Sequence, residues 1–188
     1  MVACDEEARP RHPSDPPVPG PYFQDIPFHS QFDGNDDIAH RICGPTSLAM
    51  HLAADGVEVS PSAIAREAYD CAHDIYGNWS RLCAVAGVHG HLSWARRFAT
   101  LAGLEAELLA GYRAIVSVSY EKGELDGAPL DRTGGHLIVL RGWDAEGNPV
   151  CNDPAFRDRS GDGVVYDRRQ FEHVWTAHGG TALVMRPR

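Results

Sequence analysis

The spacing of apolar residues changes character near residue 111, and this change constrains the fold more than any other feature. Before it, apolar residues recur at helical spacing, as where Leu48 and Leu52 lie four residues apart. After it they alternate, so that Val116 and Val118 share one face of an extended segment and Ser117 lies on the other. Helices followed by strands predict an α+β fold rather than alternating βαβ units.

Turn and cap residues bound the predicted elements. Ser60 before Pro61 is a typical helix start, and Asp167 is a candidate N-cap for a last helix. The predicted helices are 44–56, 60–72, a short one after residue 77, 100–111 and 166–175. The predicted strands are an extended piece before residue 98, then 112–120, 136–144, 149–155 and 181–186.

Composition and charge exclude several classes of partner. A chain of 188 residues with 43% hydrophobic content supports one domain with a substantial core. The net charge of −9 argues against a nucleic-acid or anionic-membrane partner, and no apolar stretch is long enough to predict a transmembrane segment. Residues 1–21 carry no signal-peptide pattern and predict a disordered, proline-rich tail before a domain at 22–188, which leaves the compartment open.

Cys43 stands where a helix begins, immediately before Gly44 and Pro45. The free N–H groups and dipole at a helix N-terminus favour a thiolate, as a cysteine nucleophile requires. The alternative is an inert buried thiol, the usual state of a free cysteine.

Cys71 and Cys83 could pair as a disulfide in an oxidising compartment or remain thiols in a reducing one.

A nucleophilic cysteine needs a base, an orienting acceptor and an oxyanion donor. His136 begins a strongly apolar strand after two glycines and is the candidate base. A two- or four-residue connection between its strand and the next would put Asp153 on the same face as His136, whereas a three-residue one would favour Asn152. The residues AEGN predict a four-residue loop, which favours Asp153, and Gln31 is the candidate side-chain oxyanion donor.

These motifs together resemble the C39-like branch of the papain-like cysteine peptidases. The matching segments are IPFHSQFDG, CGPTSLAMHL, YGNW, GGHLIVLRGWD, GNPVCNDPA and the closing YDRRQFEHVW…GGTALVM, and they span residues 22–186. The resemblance implies a papain-like α+β fold, with N-terminal helices packed on a C-terminal antiparallel sheet. It also implies a thiol peptidase that needs no cofactor and acts on a peptide or protein, with Cys43, His136, Asp153 and Gln31 as its catalytic residues. Exported relatives make export possible.

Other functions remain open at this level. The same acyl-enzyme could pass its acyl group to an amine, which would make the protein an acyl or peptidyl transferase. A peptide-binding module without turnover is a further alternative, and the glycine-rich loop 121–135 could then block the site. A structural metal site is a weaker alternative. Zinc binds cysteine and histidine side chains, and several lie close in sequence here: Cys71, His73, Cys83, His89 and His91. Trp79 and Trp94 are expected to be packing residues.

Overall fold

The computed structural model describes residues 20–34 and 37–188, so the predicted tail lies almost wholly outside the described residues. The helices are α1 (Cys43–Ala53), α2 (Pro61–Ala68), α3 (Trp79–Val88), α4 (Leu101–Leu109) and α5 (Arg168–Ala177). Within the described ranges, none of them is long and apolar enough to span a membrane.

Side-chain caps start four of the helices. The Ser60 hydroxyl accepts the N–H of Ala63 at the start of α2, as predicted, and the Asp167 carboxylate accepts two N–H groups at the start of α5. Asn78 caps α3 and Thr100 caps α4 in the same way. The helix α1 differs, because the residue before it, Ile42, provides no side-chain cap.

The strands form one antiparallel sheet. They are β1 (Tyr22–Phe23), β2 (Ser93–Arg97), β3 (Arg113–Tyr120), β4 (Thr133–Trp143), β5 (Pro149–Asn152), β6 (Val164–Val165) and β7 (Thr181–Met185). Their order is β2-β7-β3-β4-β5-β6, and β1 pairs with the end of β4. The strand β4 begins three residues earlier than predicted, because Thr133 pairs with Tyr120, so Gly134 and Gly135 are strand residues.

The alternation along β3 divides the core in two. Val116 and Val118 pack with α4 and α5 on one face of the sheet. On the other face, Ile115 packs with α1, α2 and α3, together with Leu137 and Val139 of β4. The predicted α+β fold, with helices packed on an antiparallel sheet, is therefore confirmed, with the addition that the last two helices cover the face opposite the first three.

The connection between β4 and β5 differs from the predicted four-residue loop. Trp143 pairs with Pro149, which leaves five residues between the strands. A connection with an odd number of residues would by itself put Asn152, and not Asp153, on the face that carries His136. A β-bulge at Arg141 then shifts the register by one residue, so that Leu140 faces Cys151. The bulge thus returns Asp153 to the face that carries His136.

The charged stretch 157–169 contains more structure than its composition suggests. It includes a short 3-10 helix at Arg159–Gly161 and the strand β6, which pairs with β5. Tyr166 follows β6 and is fully buried. This stretch folds back over the end of β5, where Asp153 lies.

Candidate active site

Cys43 is the first residue of α1, and its surroundings bring the helix end close to the sheet. A Cβ at Gly44 would lie 2.7 Å from a methyl group of Leu137 and 2.8 Å from one of Leu82, so a larger residue there would have to displace the ends of these two buried side chains. The thiol is half-buried and accepts hydrogen bonds from the backbone N–H groups of Leu137 and Gly44.

The His136 imidazole links Cys43 to Asp153. Its Nε2 lies 2.7 Å from Oδ1 of Asp153, and both side chains are buried. His136 also acts on the Cys43 thiol through a side-chain hydrogen bond and its charge, and because Nε2 faces Asp153, Nδ1 is the ring nitrogen left for this interaction. The structure therefore brings three predicted residues into one hydrogen-bonded chain.

The charges of these three groups support one another. Burial alone raises the pKa of Cys43, but the hydrogen bond and positive charge of His136, together with the N–H groups of Leu137 and Gly44, lower that pKa. Burial lowers the pKa of His136, whereas Asp153 and Cys43 raise it to about 10. Burial raises the pKa of Asp153, but His136 together with the Ala155 N–H and the Tyr166 hydroxyl lowers it below its usual value. The arrangement favours a thiolate beside an imidazolium.

The main chain of Leu137 fixes α1 against β4. Its N–H donates to the Cys43 thiol, and its carbonyl accepts the Ser47 hydroxyl at 3.0 Å. Because residues four apart lie on one face of a helix, Cys43 and Ser47 hold the same strand residue. Sequence reasoning did not identify this contact of Ser47, since a serine within an apolar helix gives no signal of its partner.

Three donors hold the Asp153 carboxylate, which has no solvent exposure. Besides His136, the N–H of Ala155 donates to Oδ1 at 2.9 Å, and the Tyr166 hydroxyl donates to Oδ2 at 2.8 Å. The backbone N–H of Asp153 donates to the carbonyl of Gly161 at 2.9 Å. Tyr166 is a second residue that sequence reasoning missed, because it lies within the charged stretch 157–169.

Asn152, the alternative orienting residue, has other partners. Its Nδ2 donates to the carbonyl of Ile26 at 2.9 Å. Its Oδ1 accepts from Gly163 N–H at 3.0 Å and from Arg141 at 3.2 Å. Asn152 therefore joins the N-terminal segment to the sheet and does not contact His136.

Gln31 lies beside the turn that carries Asp153. Its backbone N–H donates to the carbonyl of Pro154 at 2.9 Å, and the neighbouring Ser30 hydroxyl donates to the carbonyl of Phe156 at 2.6 Å. The Gln31 side chain is buried, and its Oε1 has no hydrogen-bond partner among the described residues. The structure thus anchors Gln31 to the site through its main chain.

A groove of about 690 Å³ opens onto Cys43. Its lining residues are His40, Arg41, Cys43, Asp74, Ile75, Tyr76, Gly77, Asn78, Trp79, Ser80, Ser117, Gly134, Gly135, Leu137 and His178. Trp79 therefore packs against the core, as expected, and also forms part of the groove wall, whereas Trp94 packs against the α4–α5 core. His136 and Asp153 lie behind the groove surface.

The loop 121–132 does not occlude the groove. Leu125 is buried in the core on the α4–α5 face, and Ala128 and Leu130 pack against that core. Gln170 of α5 exchanges two hydrogen bonds of 2.9 Å with Asp126. The groove is bounded instead by Gly134 and Gly135, which follow this loop.

The sequence profile of the Peptidase_C39 like family matches residues 23–183. The chain belongs to the C39-like peptidase family. A comparison with curated protein sequences finds no significant match.

Solved structures similar to this C39-like chain share its fold at low sequence identity. A Bacillus anthracis protein assigned as a C39-like peptidase is 19% identical, with a TM-score of 0.64 over 90% of this chain and 99% of that one. A double-glycine-motif protease from an AMS/PCAT transporter, solved with its leader peptide, is 20% identical, with a TM-score of 0.58 over 89% and 95%. The peptidase domain of Streptococcus ComA, a bifunctional ABC transporter, is 20% identical, with a TM-score of 0.59 over 79% and 93%.

The cysteines and histidines considered as metal ligands are not brought together in this C39-like chain. His73 contacts Asp70, His89 contacts Glu67, and His91 contacts Asp55. No group of three potential metal ligands occurs among the described residues. Cys71 is exposed, Cys83 is half-buried, and both are free thiols in this structure.

Proposed function

We propose that the protein is a cysteine peptidase in which Cys43, His136 and Asp153 carry out peptide-bond cleavage. One observation carries the proposal: a continuous chain of hydrogen bonds runs from the buried Asp153 carboxylate through His136 to a thiol that faces an open groove. A thiol with only a structural role would not need a neighbouring histidine with a raised pKa. Membership of the C39-like peptidase family supports the same function.

In the first half-reaction, the Cys43 thiolate attacks the carbonyl carbon of the scissile peptide bond. The carbon–nitrogen bond breaks, and His136 gives its Nδ1 proton to the departing amine. The products are a thioester on Cys43, a neutral His136 and a free amine. Asp153 keeps the imidazole ring oriented through Nε2 and stabilises its positive charge before the proton leaves.

The carbonyl oxygen gains negative charge during the attack and needs donors. The N–H of Cys43, at the uncapped start of α1, is one candidate, and the Gln31 amide is the other. The Oε1 atom of Gln31 has no hydrogen-bond partner among the described residues, so no hydrogen bond to this oxygen holds the amide in another orientation. Its anchoring to Pro154 couples its position to that of Asp153.

In the second half-reaction, water attacks the thioester, and His136 Nδ1 accepts the proton that the water releases. The carbon–sulfur bond breaks, which returns the thiolate and the imidazolium. An amine that enters in place of water would give acyl or peptidyl transfer by the same steps. The substrate is an extended peptide segment or a protein terminus, because the groove is open and two side-chain-free residues, Gly134 and Gly135, line it.

The experiment is turnover of a fluorogenic peptide library, with the acyl-enzyme trapped by acid and located by mass spectrometry. We expect wild type to carry the acyl group on Cys43 and Cys43→Ala to lose turnover. Cys83→Ala is the matched control, since burial raises the pKa of Cys83 and its thiol accepts a hydrogen bond from the Ser93 hydroxyl, away from His136, and it should retain wild-type turnover. Adding an amine separates hydrolysis from transfer. Turnover that persists in Cys43→Ala would contradict the proposal.

A further inference from the structure

The two oxygens of the Asp153 carboxylate have different hydrogen-bond donors. Oδ1 faces His136 and the backbone of Ala155, whereas Oδ2 faces the Tyr166 hydroxyl at 2.8 Å. Among the described residues, Tyr166 is the sole hydrogen-bond donor to Oδ2. A fully buried carboxylate oxygen without a donor would be unfavourable, and the carboxylate would rotate to find one.

We infer that Tyr166 is a positioning residue for the reaction, which fixes the Asp153 carboxylate in the orientation that presents Oδ1 to His136. This inference rests on the proposed function and extends it by one residue. Tyr166 touches neither the groove nor Cys43, and it acts through Asp153 alone.

The fold holds Tyr166 tightly enough for this role. Its backbone N–H donates to the carbonyl of Pro149 at 3.0 Å, which continues the β5–β6 pairing by one residue. Its ring stacks against Phe171, with centroids 6.0 Å apart. The ring therefore has fixed neighbours on α5 and β5, and its hydroxyl is aimed at a carboxylate that is itself held by its main chain.

The protonation state of the phenol suits a donor. Burial and the negative charge of Asp153 both raise the pKa of Tyr166, so the hydroxyl keeps its proton throughout the range in which peptidases work. The same hydrogen bond is one of the interactions that lower the pKa of Asp153. Loss of the hydroxyl would therefore free the carboxylate to rotate and weaken its contact with the imidazolium, and the pKa of Cys43 would rise.

Tyr120 provides a matched control. Like Tyr166 it is buried in the α4–α5 core, at 3% exposure against 0%, and Asp153 affects its pKa through charge. Its hydroxyl makes no hydrogen bond with Asp153 in the described chain. Tyr120→Phe therefore removes an equivalent hydroxyl from the same core and leaves all three Asp153 donors in place.

The test measures the rate of Cys43 alkylation by iodoacetamide from pH 4 to 9, because this readout needs no known substrate. In Tyr166→Phe we expect the midpoint of the profile to move to higher pH by about one unit, which makes alkylation at pH 5 about tenfold slower. Tyr120→Phe should keep the wild-type profile. A Tyr166→Phe profile identical to that of wild type would overturn the inference.

A double-mutant cycle with Asp153→Asn separates positioning from a general loss of structure. If Tyr166 acts through Asp153, then adding Tyr166→Phe to Asp153→Asn should change the alkylation profile no further. Full additivity of the two substitutions would also overturn the inference. The proposed function fails in a different way, by a wild-type profile in which His136→Ala has no effect, so the two failures are distinguishable.

Discussion

Two buried histidines lie at opposite ends of α1, and they differ in almost everything except burial. His136 faces the first turn and is 2% exposed, while His51 lies in the last turn and is 0% exposed. Asp153 and Cys43 raise the pKa of His136 to about 10. Burial, followed by the charge of Arg113, lowers the pKa of His51 to about 3. The comparison teaches that the hydrogen-bond partners decide the charge of an enclosed imidazole, and burial alone does not.

The surroundings of His51 explain its neutral state. Both of its ring nitrogens have no hydrogen-bond partner among the described residues. Arg113 donates to the backbone carbonyl of His51 and binds Asp55, which also holds His91. Asp55, whose charge acts on His51, is therefore already engaged by Arg113 and His91, whereas Asp153 is directed at His136.

The largest expected effect follows from removing the charged histidine. His136→Ala should lower kcat/KM by about 1,000-fold or more, because the thiol loses both its base and the charge that lowers its pKa. The matched variant His51→Leu should keep kcat/KM within about twofold of wild type. Steady-state kinetics on a peptide found in the library screen measures both. Equal losses in the two variants would remove the distinction between the histidines.

A second prediction concerns stability against pH. The pKa of His51 is about 3 when folded and about 6.5 in an unfolded chain, so the unfolded state takes up the proton first as pH falls. Protonation of His51 in the unfolded chain should therefore lower the free energy of unfolding by about 1.4 kcal/mol for each pH unit between about 6.5 and about 3. Urea unfolding at pH 7, 6 and 5 checks it, and His51→Leu should flatten the dependence. A slope unchanged by that substitution would contradict the assignment.

The opposite sign applies to His136. Its pKa is higher in the folded chain than in the unfolded one, so its contribution to stability is present below about pH 6.5 and is lost as pH rises toward 10. His136→Ala should therefore lose stability relative to wild type at pH 6.5, and the two proteins should converge as pH approaches 10. Divergence at alkaline pH would show that another group controls this region.

The smallest effect is expected at Ser47, whose hydroxyl donates to the carbonyl of Leu137 and so holds α1 against β4. Ser47→Ala leaves the buried carbonyl of Leu137 without its side-chain donor and should lower the free energy of unfolding by about 1 kcal/mol. Ser62→Ala is the control, since that hydroxyl contacts an exposed serine, Ser60. A Ser47→Ala protein as stable as the control variant would mean that this contact contributes nothing to docking the helix.

Much of the fold was predictable because local rules govern it. The caps at Ser60 and Asp167 and the alternation along β3 follow from short-range chemistry, and the structure has all three. The choice between Asp153 and Asn152 depended on a loop length that the structure does not have, and the bulge at Arg141 compensated for it. Arg141 binds the carbonyl of Gln24 and the carboxylate of Asp162, which are distant in sequence, so local patterns could not reveal the bulge.

The parts of the site that escaped prediction depend on contacts between distant segments. Tyr166 reaches Asp153 because β6 pairs with β5, and a two-residue strand leaves no periodic signal. The apolar pattern of α1 likewise conceals that His51 lies beside Arg113 and Ser47 beside Leu137. Residue types indicate what chemistry is available, and the long-range packing decides which groups meet.

The most direct test is the charge state of the two histidines at pH 7, measured from the ¹⁵N chemical shifts of their rings in the wild-type protein. The account predicts an imidazolium at His136, with both ring nitrogens protonated, and a neutral ring at His51. In Cys43→Ala the His136 pKa should fall, since the thiolate helps to raise it. A neutral His136 at pH 7 that titrates at the same pH in wild type and Cys43→Ala would contradict a Cys43–His136 ion pair.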